Sequence, residues 1–355
     1  MKISTKTKLA LIFLALACFI GVMTSLIVNS LITNQIISEA QEKVKEDLNT
    51  ARYVYASKIR DIDRAIRWAS IRHVLKRGLK ERNIAPIRDE LSDLMTEEGL
   101  DFLMLTDRRG VVVYRLHNPK SSGDSLIDNP FIKGALEKKG VSGTCVLSRE
   151  ELLREGEELA NKAALKLIPT PKAKPTEKLE ETSGMAIKSA HPILDFNGEV
   201  LGVLSGGVLL TRNYEIVDLI KNIVFKNVKY KGKDTGRATI FLKDVRISTN
   251  VLDKEGNRAI GTRAMKEVQE QVLEKGLPWI QRAFVVDDWY ITAYEPIKDI
   301  QGKIVGILYV GILENKYALM KERLILVFFL LSMSAMLVAL TVSFLLSWRF
   351  QKKSP

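Results

Sequence analysis

The sequence predicts a mixed α/β (α+β) protein: two tandem copies of one antiparallel-sheet module, held between two transmembrane helices. Three observations carry this. The 355-residue chain has an uncharged apolar run near each end. Its hydrophobic period changes from helical to strand-like near residue 100. A twenty-residue pattern recurs at a constant offset of 104, as in Pro192 and Pro296.

The apolar runs are residues 9–32 (LALIFLALACFIGVMTSLIVNSLI) and 324–348 (LILVFFLLSMSAMLVALTVSFLLSW). A bilayer core about 30 Å thick needs roughly 20 apolar residues of helix. Both runs exceed that, and no other stretch does. A cleaved signal peptide is the rival reading of the first run, with Lys2, Lys6 and Lys8 as its basic start. Against it, the run is longer than a signal core of about 7–15 residues, no small-x-small site closes it, and the helical pattern continues beyond it. Lys2, Lys6 and Lys8 at one end and Arg349, Lys352 and Lys353 at the other place both tails in the cytoplasm by the positive-inside rule. Residues 34–322 are then periplasmic or extracellular, and the expected location is the inner (cytoplasmic) membrane, crossed twice.

A net charge of +12 suggests nucleic acid at first sight. Six of the 54 Lys and Arg lie in the tails, however, which leaves 48 against 42 Asp and Glu outside, a mild excess on the wrong side of the membrane. The cysteines allow no disulfide in the outer segment, since Cys18 lies in the first apolar run and Cys145 is alone beyond it.

No Gly or Pro occurs between Val22 and Arg77. Apolar residues recur there at Ile37, Ala40, Val44, Leu48, Ala51, Tyr55, Ile62, Ile66 and Ala69, one helical stripe. The first membrane helix should therefore continue outward to about Gly78, and its length suggests a homodimer interface. A second helix is expected over residues 84–96. Strands follow over 102–105, 111–116 and 184–190, with turn signals at 107–110 and 118–123.

The repeat aligns HPILDFNGEVLGVLSGGVLL from His191 with EPIKDIQGKIVGILYVGILE from Glu295, each reading strand, Asp-x-x-Gly turn, strand. Upstream, Gly123-Asp124 corresponds to Gly261-Thr262 at an offset of 138, so the first copy carries an insertion. It is visible at 148–183, rich in Lys and Glu and ending in Pro169, Pro171 and Pro175. A helix over 150–167 and a Pro-punctuated loop are expected there, and a helix around 213–225 joins the copies. The resulting division is a tail (1–8), a membrane helix (9–33), a helical region (34–98), one module (99–226), a second module (227–322), a membrane helix (323–348) and a tail (349–355).

The stretches FLMLTDRRGVVVYRLHNP (102–119), PTPKAKPTEKLEETSGM (169–185), GVLSGGVLLTRNYEIVD (202–218) and ATIFLKDVRISTNV (238–251) resemble a double Cache sensory domain. AIGTR (259–263), RAFVVDDWYITAYEPI (282–297) and GILYVGILENKY (306–317) extend the resemblance, which covers residues 34–322. This PAS-like module of bacterial sensor kinases and chemoreceptors implies a membrane-distal and a membrane-proximal sheet flanked by helices, a small extracytoplasmic ligand and a cytoplasmic output. The chain departs from the family after the second apolar run, where only 349–355 follow. No HAMP linker, kinase core, coiled-coil hairpin or cyclase motif is present, so the expectation is a truncated receptor, or one read by a separate signalling module.

In the distal module Val111, Val113, Arg115 and His117 alternate onto one expected strand face. Arg115 offers a donor fork suited to a carboxylate, His117 a second donor, and Lys188 a cation on a later strand. Tyr114 points to the core. Surface ion pairing is the plainer reading of the same residues. In the proximal module Arg246, Ser248 and Asn250 share an expected face, and Tyr290, Thr292 and Tyr294 share another beside Trp289. An Arg with an aromatic box suits a pocket, although alternate aromatics also simply pack. Arg263 caps a helix start or touches ligand.

Catalysis is not expected. Gly123-Asp124-Ser125-Leu126 spells the GDSL of a hydrolase family, but the chain has no Asp-x-x-His. His73, His117 and His191 stand too far apart for a metal, Asp287-Asp288 reads as a hairpin turn, and GVLSGG has neither the spacing nor the helix of a dinucleotide loop. No cofactor is implied. The expected function is a membrane receptor for a small molecule, by Arg and His chemistry an organic anion. The alternative is a membrane-tethered solute-binding protein serving a transporter without signalling.

Overall fold

The computed structural model describes residues 5–226, 228–230, 232–286 and 288–351. Lys2, Lys352 and Lys353 of the tails and Asp287 of the expected hairpin turn lie outside the described residues. The chain divides into two units, residues 1–43 with 313–355, and residues 44–312.

The first unit is helical. It holds the N-terminal part of α1 (Thr5–Ser70) and the C-terminal helix Glu314–Gln351. Among the described residues one helix is long and apolar enough to cross a membrane, and it begins at Phe19 within α1.

In the second unit α1 is an amphipathic scaffold. Val44, Leu48, Ala51, Tyr55, Ile62, Ile66 and Ala69 of the expected stripe are buried, as is Ala40, whereas Ile37 is exposed. The stripe is thus covered within the chain, while Tyr53 and Trp68 of the same helix are exposed. Tyr55 Oη lies 2.8 Å from Thr144 Oγ1, and His191 Nε2 2.8 Å from Asp63 Oδ1. Arg52 pairs with Glu295. The helix therefore touches residues of both sheets. It ends at Ser70, earlier than expected: Ser70 Oγ donates to the Arg67 carbonyl, the Arg72 N–H closes onto Ala69, and α2 (His73–Glu81) starts anew. Gly78 is interior to α2, where a Cβ would stand 2.6 Å from Ile87 of α3 (Ala85–Glu98). Its role is close packing, not termination.

The first sheet comprises β1 (Phe102–Asp107), β2 (Val112–Arg115), β3 (Val141–Leu147), β4 (Gly184–Leu194) and β5 (Val200–Leu209). The second comprises β6 (Gly236–Leu242), β7 (Val245–Thr249), β8 (Trp279–Val285), β9 (Asp288–Lys298) and β10 (Ile304–Leu313). Their spatial orders, β2-β1-β5-β4-β3 and β7-β6-β10-β9-β8, are the same order displaced by five strands. The repeated turns match in detail. Asp195 Oδ1 accepts from the N–H groups of Asn197 and Glu199, and Asp299 Oδ1 from those of Gln301 and Lys303. Gly198 and Gly302 sit at φ +80° and +84°, where a side chain is disfavoured.

In the first module α4 (Pro130–Leu136) covers a core of Met104, Val112, Phe131, Ala190 and Val203. The insertion is helical, but not over one helix. Arg149–Glu155 (α5) and Glu157–Ala163 (α6) meet at an extended Gly156, which breaks the expected 150–167 helix, and Ser148 and Glu151 form a reciprocal cap for α5. The following loop straps onto the second module. The Ile168 N–H donates to the Gly261 carbonyl, the Lys266 N–H to Lys172, and Arg263 Nη1 to Lys174. After α7 (Glu215–Phe225) the second sheet follows, and its last strand ends at Leu313, one residue before the C-terminal helix.

The modules also meet at the second hairpin's turn. Ile300 packs on the first module's core, and a Cβ on Gly143 of β3 would stand 2.6 Å from Ile300 Cγ2. Gly143→Val should therefore destabilise the protein by about 1–3 kcal/mol through overpacking. Ile300→Ala in that background should recover part of the loss, read as a non-additive cycle in thermal unfolding.

Candidate functional site

The first module's buried guanidinium is built by the bulge between Leu105 and Thr106. It pairs Arg115 with Met104 and Val112 with Thr106, so Arg115 shares a face with Val112 and not with Val113, as strict alternation had predicted. Tyr114 takes the opposite face and is buried, as expected. On the inner face Arg115 is 2% exposed. Its Nη1 and Nη2 donate to Asp124 Oδ1 and Oδ2 at 2.7 and 2.8 Å, Nη1 also to the Ser121 carbonyl at 2.7 Å, and Nε to Glu155 Oε1 at 3.0 Å. Four of its five donors are thereby used within the chain. It is a brace between the Gly123-Asp124 turn and the insertion helix α5, not the open fork expected from sequence.

Those hydrogen bonds hold the Asp124 carboxyl below its ordinary value, against the burial that would raise it. They also explain the GDSL stretch. Gly123 is a turn at φ +94°, Asp124 is tied to Arg115, and Ser125 bridges to Val111. His117 does not join this centre. It is exposed and lines a separate crevice with Asp101 and Lys162.

Lys188 is the residue that the sheet leaves open. It stands on β4 opposite Gly143 of β3 and is 4% exposed, its Nζ 5.6 Å from the centre of the Phe131 ring. Among the described residues no carboxylate lies within 4 Å of that ammonium. Lys188 lines two adjoining spaces. The inner, of about 30 Å³, is bounded by Arg115, Asp124 and Glu155. The outer, of about 390 Å³, is bounded by Asn129, Thr144 and Cys145 of the first module and by Lys243, Asp299, Ile300 and Lys303 of the second. Burial pushes the Cys145 thiol up to about 12, so it is an inert wall at neutral pH. A buried ammonium with only a ring face for company is costly unless an acceptor reaches it.

In the second module a bulge between Ile240 and Phe241 pairs Arg246 with Phe241 but Ser248 with Ile240. Arg246 and Ser248 therefore face opposite ways, contrary to the expected shared face; Ser248 Oγ donates to the Asn213 carbonyl. Asn250 Oδ1 accepts from the Ala238 N–H. Tyr290, Thr292 and Tyr294 are buried on one face of β9, and Thr292 Oγ1 donates to the Gln281 carbonyl. Trp289 lies on the other face, against Phe284 and beneath Lys172 and Arg282, outside the tyrosine group. Arg263 is a brace: it pairs with Asp244 and donates to the Lys174 carbonyl of the strap.

Sequence reasoning missed Glu155, which the insertion brings in, Asn129, the N-cap of α4, and the 299–305 segment, which the inter-module packing brings in. Asp124 carried a signal, its Gly-Asp recurring as Gly-Thr.

Residues 208–323 match the family described as single Cache domain 3. Among solved structures the chain is similar to the periplasmic domain of Vibrio cholerae LuxQ (10% identity, TM-score 0.45, covering 76% of this chain and 99% of that one). It is also similar to the V. cholerae histidine kinase DctB sensor domain (11%, 0.41, 78% and 98%). A third is the ligand-binding domain of Pseudomonas fluorescens chemoreceptor CtaA in complex with L-isoleucine (14%, 0.39, 82% and 98%). No curated protein matches the sequence.

Removing one partner of a buried ion pair leaves the others stranded, so Arg115→Ala should cost about 3–5 kcal/mol in denaturant unfolding. For Asp124 the folded carboxyl titrates lower than the unfolded one, so its contribution is present above an unfolded value of about 3.9 and is lost as pH falls through the folded one. Asp124→Asn should therefore be less stable than wild type at neutral pH, with the gap closing below about pH 4.

Proposed function

We propose that the chain is a membrane-bound sensory receptor that takes a small organic anion in the cleft at Lys188 and passes a conformational signal along β10 into the C-terminal helix. One observation carries the reading: the unpaired, buried Lys188 ammonium faces a cleft whose opposite wall is the 299–305 segment of the second module, the turn and the start of β10. A carboxylate on Lys188, with Asn129 and Thr144 as neutral partners, would contact both modules at once. The acidic groups Glu151 and Asp299 on the walls favour a ligand that also carries a donor, such as a hydroxy or amino acid. In this reading the C-terminal helix is the second membrane crossing, through residues 324–348. A second copy of the chain meets the exposed face of α1 at Tyr53 and Trp68, and a cytoplasmic signalling partner reads the helices. The bistable element is the turn, since a ligand shifts an equilibrium only through contacts that differ between its two states.

Thermal unfolding of the full chain in lipid nanodiscs, against a panel of three- to six-carbon carboxylates, hydroxy acids and amino acids, tests the site. At a hundredfold excess over Kd a binder adds about 2.7 kcal/mol. Lys188→Met should abolish the shift without loss of unliganded stability, because it removes an unpaired buried charge. A shift that persists undiminished in that variant sinks the assignment.

Topology is tested by cysteine labelling in intact cells. Leu179 is 80% exposed. Leu179→Cys should react with a membrane-impermeant maleimide from outside, and protection until lysis would place the modules in the cytoplasm.

A further inference from the structure

The second module contains a buried cation that no described carboxylate answers. Arg246 is 3% exposed. Its Nη1 donates to Thr262 Oγ1 at 2.6 Å, its guanidinium stands 5.2 Å from the Phe241 ring, and its Nε is buried with no partner. Among the described residues no carboxylate lies within 4 Å of it. The surroundings are aromatic. Phe241 packs against Tyr294 and Tyr309, whose own rings stand 4.6 Å apart, and the Tyr309 hydroxyl is also buried without a partner. Arg237 adds a second positive charge to the same face, with its Nε 3.4 Å from Tyr290 Oη and its Nη1 3.6 Å from Asp234.

The internal repeat shows what is missing. In the first module the residue after the turn glycine is Asp124, which neutralises Arg115 through two hydrogen bonds. In the second, the residue after Gly261 is Thr262, whose hydroxyl offers Arg246 one neutral oxygen and donates its own hydrogen bond to the Ala259 carbonyl. The arginines enter from different strand positions, opposite Met104 and opposite Phe241, yet each is held by the residue after the repeated glycine. One copy carries its counter-charge within the chain; the other does not. An unpaired guanidinium in an aromatic interior is strongly disfavoured, and burial acts against its charged form.

We propose that this face of the second module is a separate anion site, in which a small monovalent anion, a halide or a one- or two-carbon carboxylate, binds Arg246 as the counter-charge that Thr262 fails to supply. Nε is the first donor, and the Tyr309 hydroxyl is a second unpaired donor on the face. The close aromatic packing restricts the occupant to a few atoms. The site is distinct from the Lys188 cleft, and its occupancy sets the stability of the module that runs into the C-terminal helix.

The test is thermal unfolding of the full chain in detergent at neutral pH and fixed ionic strength, with sodium chloride, nitrate, formate or acetate compared with sodium gluconate, whose anion is too bulky to enter. Wild type should show a saturable rise over gluconate of about 5 °C for at least one small anion at saturation. Thr262→Asp places the first module's carboxylate at the equivalent position and should make the midpoint independent of the anion. Arg246→Met, which removes the charge, should do the same. Tyr309→Phe should need a higher anion concentration for the same shift. Lys188→Met should keep the wild-type response. The proposal is overturned by equal midpoints in all five salts, by a wild-type response in both Thr262→Asp and Arg246→Met, or by loss of the response in Lys188→Met, which would assign it to the first module's cleft.

Discussion

Two modules of this kind become one device only if a rigid part of one is seated in the other, and the Ile300–Gly143 contact does this. The turn that carries Ile300 is fixed by Asp299, which accepts from two backbone N–H groups, and by Gly302 at positive φ. Its apolar tip packs against the first module's core at Gly143, a strand position where a side chain would collide with it. Interiors at crystal-like density shift between discrete packings and do not deform smoothly. In the proposed reading a ligand beside that tip acts on β10 as a whole; in sequence β10 ends at Leu313, directly before the C-terminal helix.

The distribution of charge follows the same division. The first module's buried arginine is satisfied by Asp124 and by Glu155 from the insertion, so it holds structure. The cation beside it, Lys188, has only the Phe131 ring, and it is the one that lines the cleft. In the proposed reading Lys188 is the part that recognises and Arg115 the part that supports. The strap of the insertion, braced by Arg263 and Lys174, ties the modules a second time, so they are coupled on two sides.

Much of this architecture was legible in the sequence, because it is written in periodicity and repetition. The stripe along α1, the two hairpins with Asp-x-x-Gly turns and the insertion all follow from spacing. The site was less legible, for a physical reason. A one-residue bulge in each sheet reverses the faces that strict alternation assigns, so Val113 left the face of Arg115 and Ser248 that of Arg246. The partners of Arg115 come from a turn and from an insertion 40 residues away, a distance no local pattern encodes. His117 lies beyond the end of β2, where alternation no longer places a side chain. Lys188 stood out only as a cation on a strand, and its significance depends on the second module's turn closing the other wall.

In the proposed receptor, occupancy of the Lys188 cleft is felt by the second module. Amide hydrogen exchange of the full chain in nanodiscs, with and without whichever carboxylate of the panel stabilises it most, reads this directly. Exchange should slow both in residues 184–194, around Lys188, and in residues 299–313, the turn and the strand that leads to the C-terminal helix. Slower exchange confined to the first module, with residues 299–313 unchanged at saturation, would contradict it.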